Sequence, residues 1–125
     1  MICEITLQEL QEDYDWENVF GEGGNCKQDI ESVDGTLTSP CPRKSVVEVI
    51  AAVNGENDGD EWIGLFRMED GRYLAATGSC DYTGWDCQGW NTLTVGKTLE
   101  NVITFGLTIS QCVRLGIVDP KDVKY

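Results

Sequence analysis

Residues 80–90, Cys80-Asp81-Tyr82-Thr83-Gly84-Trp85-Asp86-Cys87-Gln88-Gly89-Trp90, crowd two cysteines, two carboxylates and three large aromatic rings into one stretch. Residue types of this kind can serve several chemistries. Asp81 and Asp86 could act as a carboxylate pair on a glycoside. Cys80 and Cys87 could close a disulfide, or join Cys26 and Cys41 in an all-cysteine zinc site. Tyr82, Trp85 and Trp90 could stack on bases or sugars. A second stretch, Asn54-Gly55-Glu56-Asn57-Asp58-Gly59-Asp60, offers oxygens at positions one, three and five of a calcium loop, with glycine at six.

Each possibility meets an obstacle in the same sequence. The chain has no histidine, which removes the commonest general base and every Ser-His or Cys-His nucleophile pair. Two loop carboxylates in one small domain do not make a glycosidase cleft, and no phosphate-binding glycine loop with lysine is present. The calcium pattern lacks its bidentate acid, because Leu65 stands at position twelve. The cysteines lack the close pairs of zinc sites. Packed, reduced thiols are therefore expected, with Cys112 beside Val113 and Leu115 as a core residue. No catalytic residue, metal or cofactor is assigned, and the chain reads as a non-enzyme. Residues 78–96 contain no Lys or Arg, so the rings lack the cations that accompany nucleic-acid stacking platforms. They read instead as a local mini-core with Trp85 buried, leaving at least one ring exposed as a contact anchor.

The chain has 125 residues, 41% of them hydrophobic, and a net charge of −13. That length and composition suit one globular domain, residues 1–125. No apolar run approaches the roughly 20 residues that span a bilayer. The N-terminus lacks a basic start and an apolar stretch, so a cytosolic setting is expected, where disulfides are disfavoured. The charge is uneven: residues 1–61 hold 15 acidic and 3 basic residues, whereas residues 62–125 hold 7 and 6. An acidic half repels nucleic-acid backbones and anionic membranes and attracts a protein with a basic surface. Acidic residues also simply keep small proteins soluble, and that explanation needs no partner.

Thr6-Leu7-Gln8-Glu9 has the form of a capping box, with Leu7, Leu10 and Tyr14 at helical spacing. Asp15 can cap a second short turn with Trp16, Val19 and Phe20 on one face, stopped at Gly21. Gly21 to Ser45 reads as irregular, with a turn at Asp34-Gly35 and room for a short strand. Val46, Val49, Ile50 and Val53 follow i, i+3, i+4, i+7 spacing after Pro42, which predicts a helix ending at Asn54-Gly55. Residues 62–67 and 72–77 flank Asp70-Gly71 as a hairpin, and 90–95 offers a third strand. Thr98 caps a helix over 99–105, and Thr108-Ile109-Ser110-Gln111 repeats the capping box for a last helix closed at Gly116. The expected fold is α+β: a small antiparallel meander of three or more strands with helices on one face.

From Val49 onward the sequence resembles a family of small bacterial and phage proteins with no assigned activity. The resemblance rests on Val49–Gly59, Trp62–Arg67, Asp70–Tyr73, Cys80–Gln88, Thr98–Glu100 and Phe105–Leu107, spread over a span that covers about half of the chain. Trp90 departs from the glycine usual there. The resemblance implies a shared fold and a phage or bacterial setting. Combined with the charge, it suggests a phage-encoded inhibitor that presents carboxylates to the basic groove of a host nucleic-acid enzyme, as a DNA mimic or an anti-restriction or anti-CRISPR factor. The candidate contact residues are Glu9, Glu12, Asp13, Asp15, Glu56, Asp58, Asp60 and Glu61, with Tyr82, Trp85 and Trp90. The alternatives are a metal- or ligand-binding module using the 80–90 loop, and an accessory or structural phage component.

Overall fold

A computed structural model describes residues 1–23, 29–35, 43–85 and 88–119. Four strands form a consecutive antiparallel meander: β2 (Val46–Val53), β3 (Trp62–Met68), β4 (Tyr73–Cys80) and β5 (Gly89–Gly96). A short strand, β1 (Ile30–Ser32), joins β5 in parallel, giving the order β1-β5-β4-β3-β2. The β3–β4 turn uses Asp70-Gly71 as its residue types predict. Gly71 takes φ +87, a conformation that suits glycine, and Asp70 holds Arg72 Nε at 2.7 Å.

The helices start where small polar side chains satisfy the first backbone N–H groups. Thr6 and Glu9 form the capping box of α1 (Leu7–Glu12). Asp13, not Asp15, caps α2 (Tyr14–Val19), its carboxylate accepting from Trp16 N at 3.0 Å. Arg43, in the 3-10 turn Arg43–Ser45, donates to the carbonyls of Leu10 and Asp13, and so ties the α1–α2 corner to the start of β2. Thr98 caps α3 (Leu99–Gly106), and a second capping box of Thr108 and Gln111 starts α4 (Ile109–Leu115). Gly116, at φ +78, ends α4, and Ile117 N bonds back to Cys112 O at 2.9 Å.

Two apolar clusters occupy opposite faces of the sheet. On one face Leu10, Trp16, Val19 and Phe20 of the α1–α2 layer meet Trp62, Phe66, Leu74, Ala76, Leu93 and Val95. On the other, Leu99, Val102, Ile103, Cys112 and Leu115 of the α3–α4 layer meet Ile50, Ala51, Ile63, Leu65 and Ala75. The α+β class therefore stands, with three corrections. The sheet, of five strands within the expected three or more, is mixed rather than purely antiparallel. Helices cover both faces, not one. Residues 46–53 form a strand where helical spacing predicted a helix. That last error has a physical cause: a strand buried on both faces loses the alternation that marks a strand. Register shifts at Val46/Glu48 and Val49/Ala51 further disturb the phase of β2.

Candidate functional site

In a meander, alternate connections emerge at the same end of the sheet. The β2–β3 connection (54–61) and the start of the β4–β5 connection (81–85) therefore lie side by side, and hydrogen bonds join them. Asp58 N donates to Cys80 O at 2.9 Å, and Asn57 Nδ2 donates to Tyr82 O at 3.4 Å. The Cys80 thiol donates to Asn57 Oδ1 at 3.4 Å. Within the first loop, Glu56 N bonds to Asp60 O at 2.8 Å, and Asp58 takes a left-handed φ of +59. A Cβ on Gly55 would come within 2.5 Å of Asp60 O and 2.6 Å of the Trp62 ring, so the loop closes only over glycine. In the second loop the Asp81 carboxylate accepts from both the backbone N–H and the hydroxyl of Thr83, and Gly84 N bonds to Asp81 O at 2.8 Å.

The three aromatic rings of this region part company. Trp85 is buried, stacked obliquely on Trp62 with ring centroids 5.2 Å apart, and its indole N–H donates to Asp15 Oδ1 at 3.0 Å. It is the predicted mini-core ring, and burial removes it from the list of contact residues. Tyr82 is 77% exposed at the tip of the loop. Trp90 is exposed as well, but it belongs to the other side of the sheet. It lies an even number of residues from Thr94, whose side chain lies against Gly106 of α3.

The candidate acids also divide. Glu56, Asp58 and Asp60 are exposed around Tyr82's loop. Asp13 and Asp15 are half-buried and hold the Trp16 N–H and the Trp85 indole respectively. Glu9 accepts from Thr6 N at 3.0 Å, and Glu12 from Gln8 Nε2 at 3.5 Å; both are exposed on α1, which packs along β2. Glu61 turns away from the cluster, accepting from Gln111 Nε2 with both oxygens at 3.0 and 3.1 Å, while its carbonyl accepts from Arg114. Glu61 thus braces α4. Sequence reasoning passed over Glu4, whose carboxylate accepts from Asn54 N at 2.8 Å, and the organising role of Asn57. Neither carries a local pattern that could have announced it.

The would-be calcium oxygen at position one, Asn54 Oδ1, accepts from the Trp16 indole at 3.0 Å, and Leu65 at position twelve is fully buried in the core. Among the described residues no group of three or more His, Cys, Asp or Glu side chains is arranged to hold a metal. The proposed zinc set, the 80–87 disulfide and the Asp81–Asp86 pair include Cys26, Cys41, Asp86 or Cys87, which lie outside the described residues. Cys3 is an exposed thiol, whereas Cys112 is packed among α3–α4 residues, and burial pushes its pKa up.

No protein-family model, curated protein or solved structure matches this chain. No helix among the described residues is long and apolar enough to cross a membrane.

Proposed function

We propose that this chain is a non-enzymatic protein that binds a protein partner with a basic surface, through the end of the sheet where the two loops meet. The observation that carries this reading is the bonding of Asn57 and Asp58 to the backbone of Cys80 and Tyr82, which joins the loop that bears an exposed tyrosine to the loop that bears the exposed Glu56, Asp58 and Asp60. An exposed ring on one loop and carboxylates on the loop bonded to it suit arginine: a ring face attracts a guanidinium, and acids accept its N–H groups. Tyrosine is also a side chain that anchors interfaces at low entropic cost. The same charges repel a phosphate backbone or an anionic membrane, which leaves direct nucleic-acid binding out of the reading.

In its finer form, the partner is a host nucleic-acid enzyme whose basic groove receives the acidic face, and the chain is a phage-borne inhibitor in the host cytoplasm. The segregation of charge supports this. Helices α1 and α2 carry Glu9, Glu12, Asp13, Asp15 and Glu17 with no Lys or Arg of their own, against the one guanidinium of Arg43 at their corner, and so continue the negative field beyond the loops.

The test is capture from host lysate by the wild-type protein and by a variant combining Glu56→Lys, Asp60→Lys and Tyr82→Ala, with Asp58→Asn to respect its left-handed backbone. Glu61 is kept, because it braces α4. The wild type should retain a basic partner at low salt, lose it at high salt and associate with it faster than the variant does. Equal recovery and equal association rates for both proteins would leave the acidic loop as a solubilising surface only.

A further inference from the structure

The outer surface of the α3–α4 layer is unlike the rest of the molecule. Between the two helices runs an apolar groove of about 260 Å³ lined by residues such as Ile103, Leu107, Ile109, Cys112, Val113 and Ile117. Its α4 wall is exposed: Ile109 is 85% accessible and Val113 67%, and these two residues stand one helical turn apart. Val118, at the groove's end, is fully exposed, and Phe105 on α3 is 69% exposed. Scattered apolar residues are normal on a surface, but contiguous ones beside a groove mark a contact. Among residues 99–118 the only charged side chains are Glu100 and Arg114, so this face is neutral in a chain of net charge −13.

We infer that this face binds a second copy of the same chain, α4 against α4 across a two-fold axis. Charge confines pairing of two copies to this face. Two copies approaching by their acidic layers or acidic loops would repel, whereas the neutral layer lies on the opposite side of the sheet from α1 and α2. Pairing there removes the exposed apolar surface from water and keeps the two acidic layers apart, both facing outward. The surface is also self-complementary in the sense a two-fold requires. In an antiparallel α4 pair, Ile109 of one copy meets Val113 of the other, and the reverse contact follows by symmetry. Because α4 has only 7 residues, a contact limited to it and its flanks should fall short of the roughly 800 Å² per partner of a standard interface, and a weak dimer is expected.

Sedimentation equilibrium over a wide concentration range tests this. The wild type should show a monomer–dimer equilibrium that tightens as salt rises, because screening relieves repulsion between like-charged copies while leaving apolar contact intact. Ile109→Asp and, separately, Val113→Asp should each weaken the dimer at least about tenfold while preserving the circular dichroism spectrum, since both side chains are exposed. Phe105→Asp, on the same layer but outside the groove, should weaken it less. A wild type that stays monomeric at every concentration overturns the inference, as does a dimer indifferent to both α4 substitutions. Binding of the monomer to phosphatidylcholine vesicles without self-association would assign the face to a lipid surface and overturn it equally. Salt separates this contact from the proposed partner site: one strengthens with ionic strength and the other weakens, so either can fail alone.

Discussion

Asp15 is an acid that faces inward to do structural work. Its carboxylate is the acceptor for the buried Trp85 indole, across a sequence separation of 70 residues. Asp15→Ala should leave that N–H without a partner and cost about 1–3 kcal/mol of stability, read as a lower urea midpoint. Asp15→Asn keeps an acceptor oxygen and should cost less. The burial of Trp85 was legible in the sequence, because a loop rich in rings and empty of cations has little reason to face water. Its partner was not legible, since nothing local to Asp15 points to residue 85. Cys112 makes a second prediction at this scale. Burial raises its thiol pKa in the folded state above the ordinary value of 9.0. A raised pKa contributes stability that is fully present below the unfolded thiol's pKa and is lost as pH rises through the folded one. Cys112→Ser titrated beside the wild type should therefore show a shallower loss of stability above about pH 9. Maleimide at mildly alkaline pH should label Cys3 well before Cys112, and equal labelling rates would mean that Cys112 is not packed as described.

At the scale of elements, the threonine-capped helix starts could be read from the chain, whereas the start of α2 (Asp13 rather than Asp15) and one strand could not. Thr6-Glu9, Thr98 and Thr108-Gln111 act within four residues of themselves, so their capping survives any tertiary arrangement. Residues 46–53 depend on what covers them. With helices on both sheet faces, Val46 and Ala52 point into one core and Ile50, Ala51 and Val53 into the other, and the apolar spacing came to mimic a helix. The β-branched residues were the better guide. The 54–61 loop shows how an element is fixed by a single position. Gly55→Ala places a Cβ 2.7 Å from the Glu61 carbonyl carbon as well as against Asp60 and Trp62, and backbone cannot swing aside as a long side chain would. A loss of about 1–3 kcal/mol is expected, together with weaker partner capture through displacement of Asp58 from Cys80. Full stability and full capture in Gly55→Ala would show that the loop is not held in this shape.

The whole molecule is a sheet with an acidic helix layer on one side and a neutral, partly apolar layer on the other. The uneven charge of the two sequence halves was plain in the chain, but its conversion into two opposed faces was not, because that follows from which helices cross to which side. The edge strand β2 is closed by the start of the chain: Ala52 N donates to Ile2 O, Glu4 N donates to Ala52 O, and Ile2 N donates to Leu115 O beyond the end of the sheet. This splice has a kinetic meaning. The β2–β3 and β3–β4 hairpins join neighbouring segments and can form early, whereas Ile2 and Leu115 come from nearly opposite ends of the described chain and meet late. Contacts absent from the folding transition state act on the unfolding rate alone. Ile2→Pro, which deletes the donor to Leu115, should speed unfolding about fivefold for a bond of about 1 kcal/mol and leave the refolding limb of the chevron unmoved. A slowed refolding limb would instead place the splice in the nucleus. The opening residues therefore govern how long the native state persists, and the hairpins how quickly it is reached.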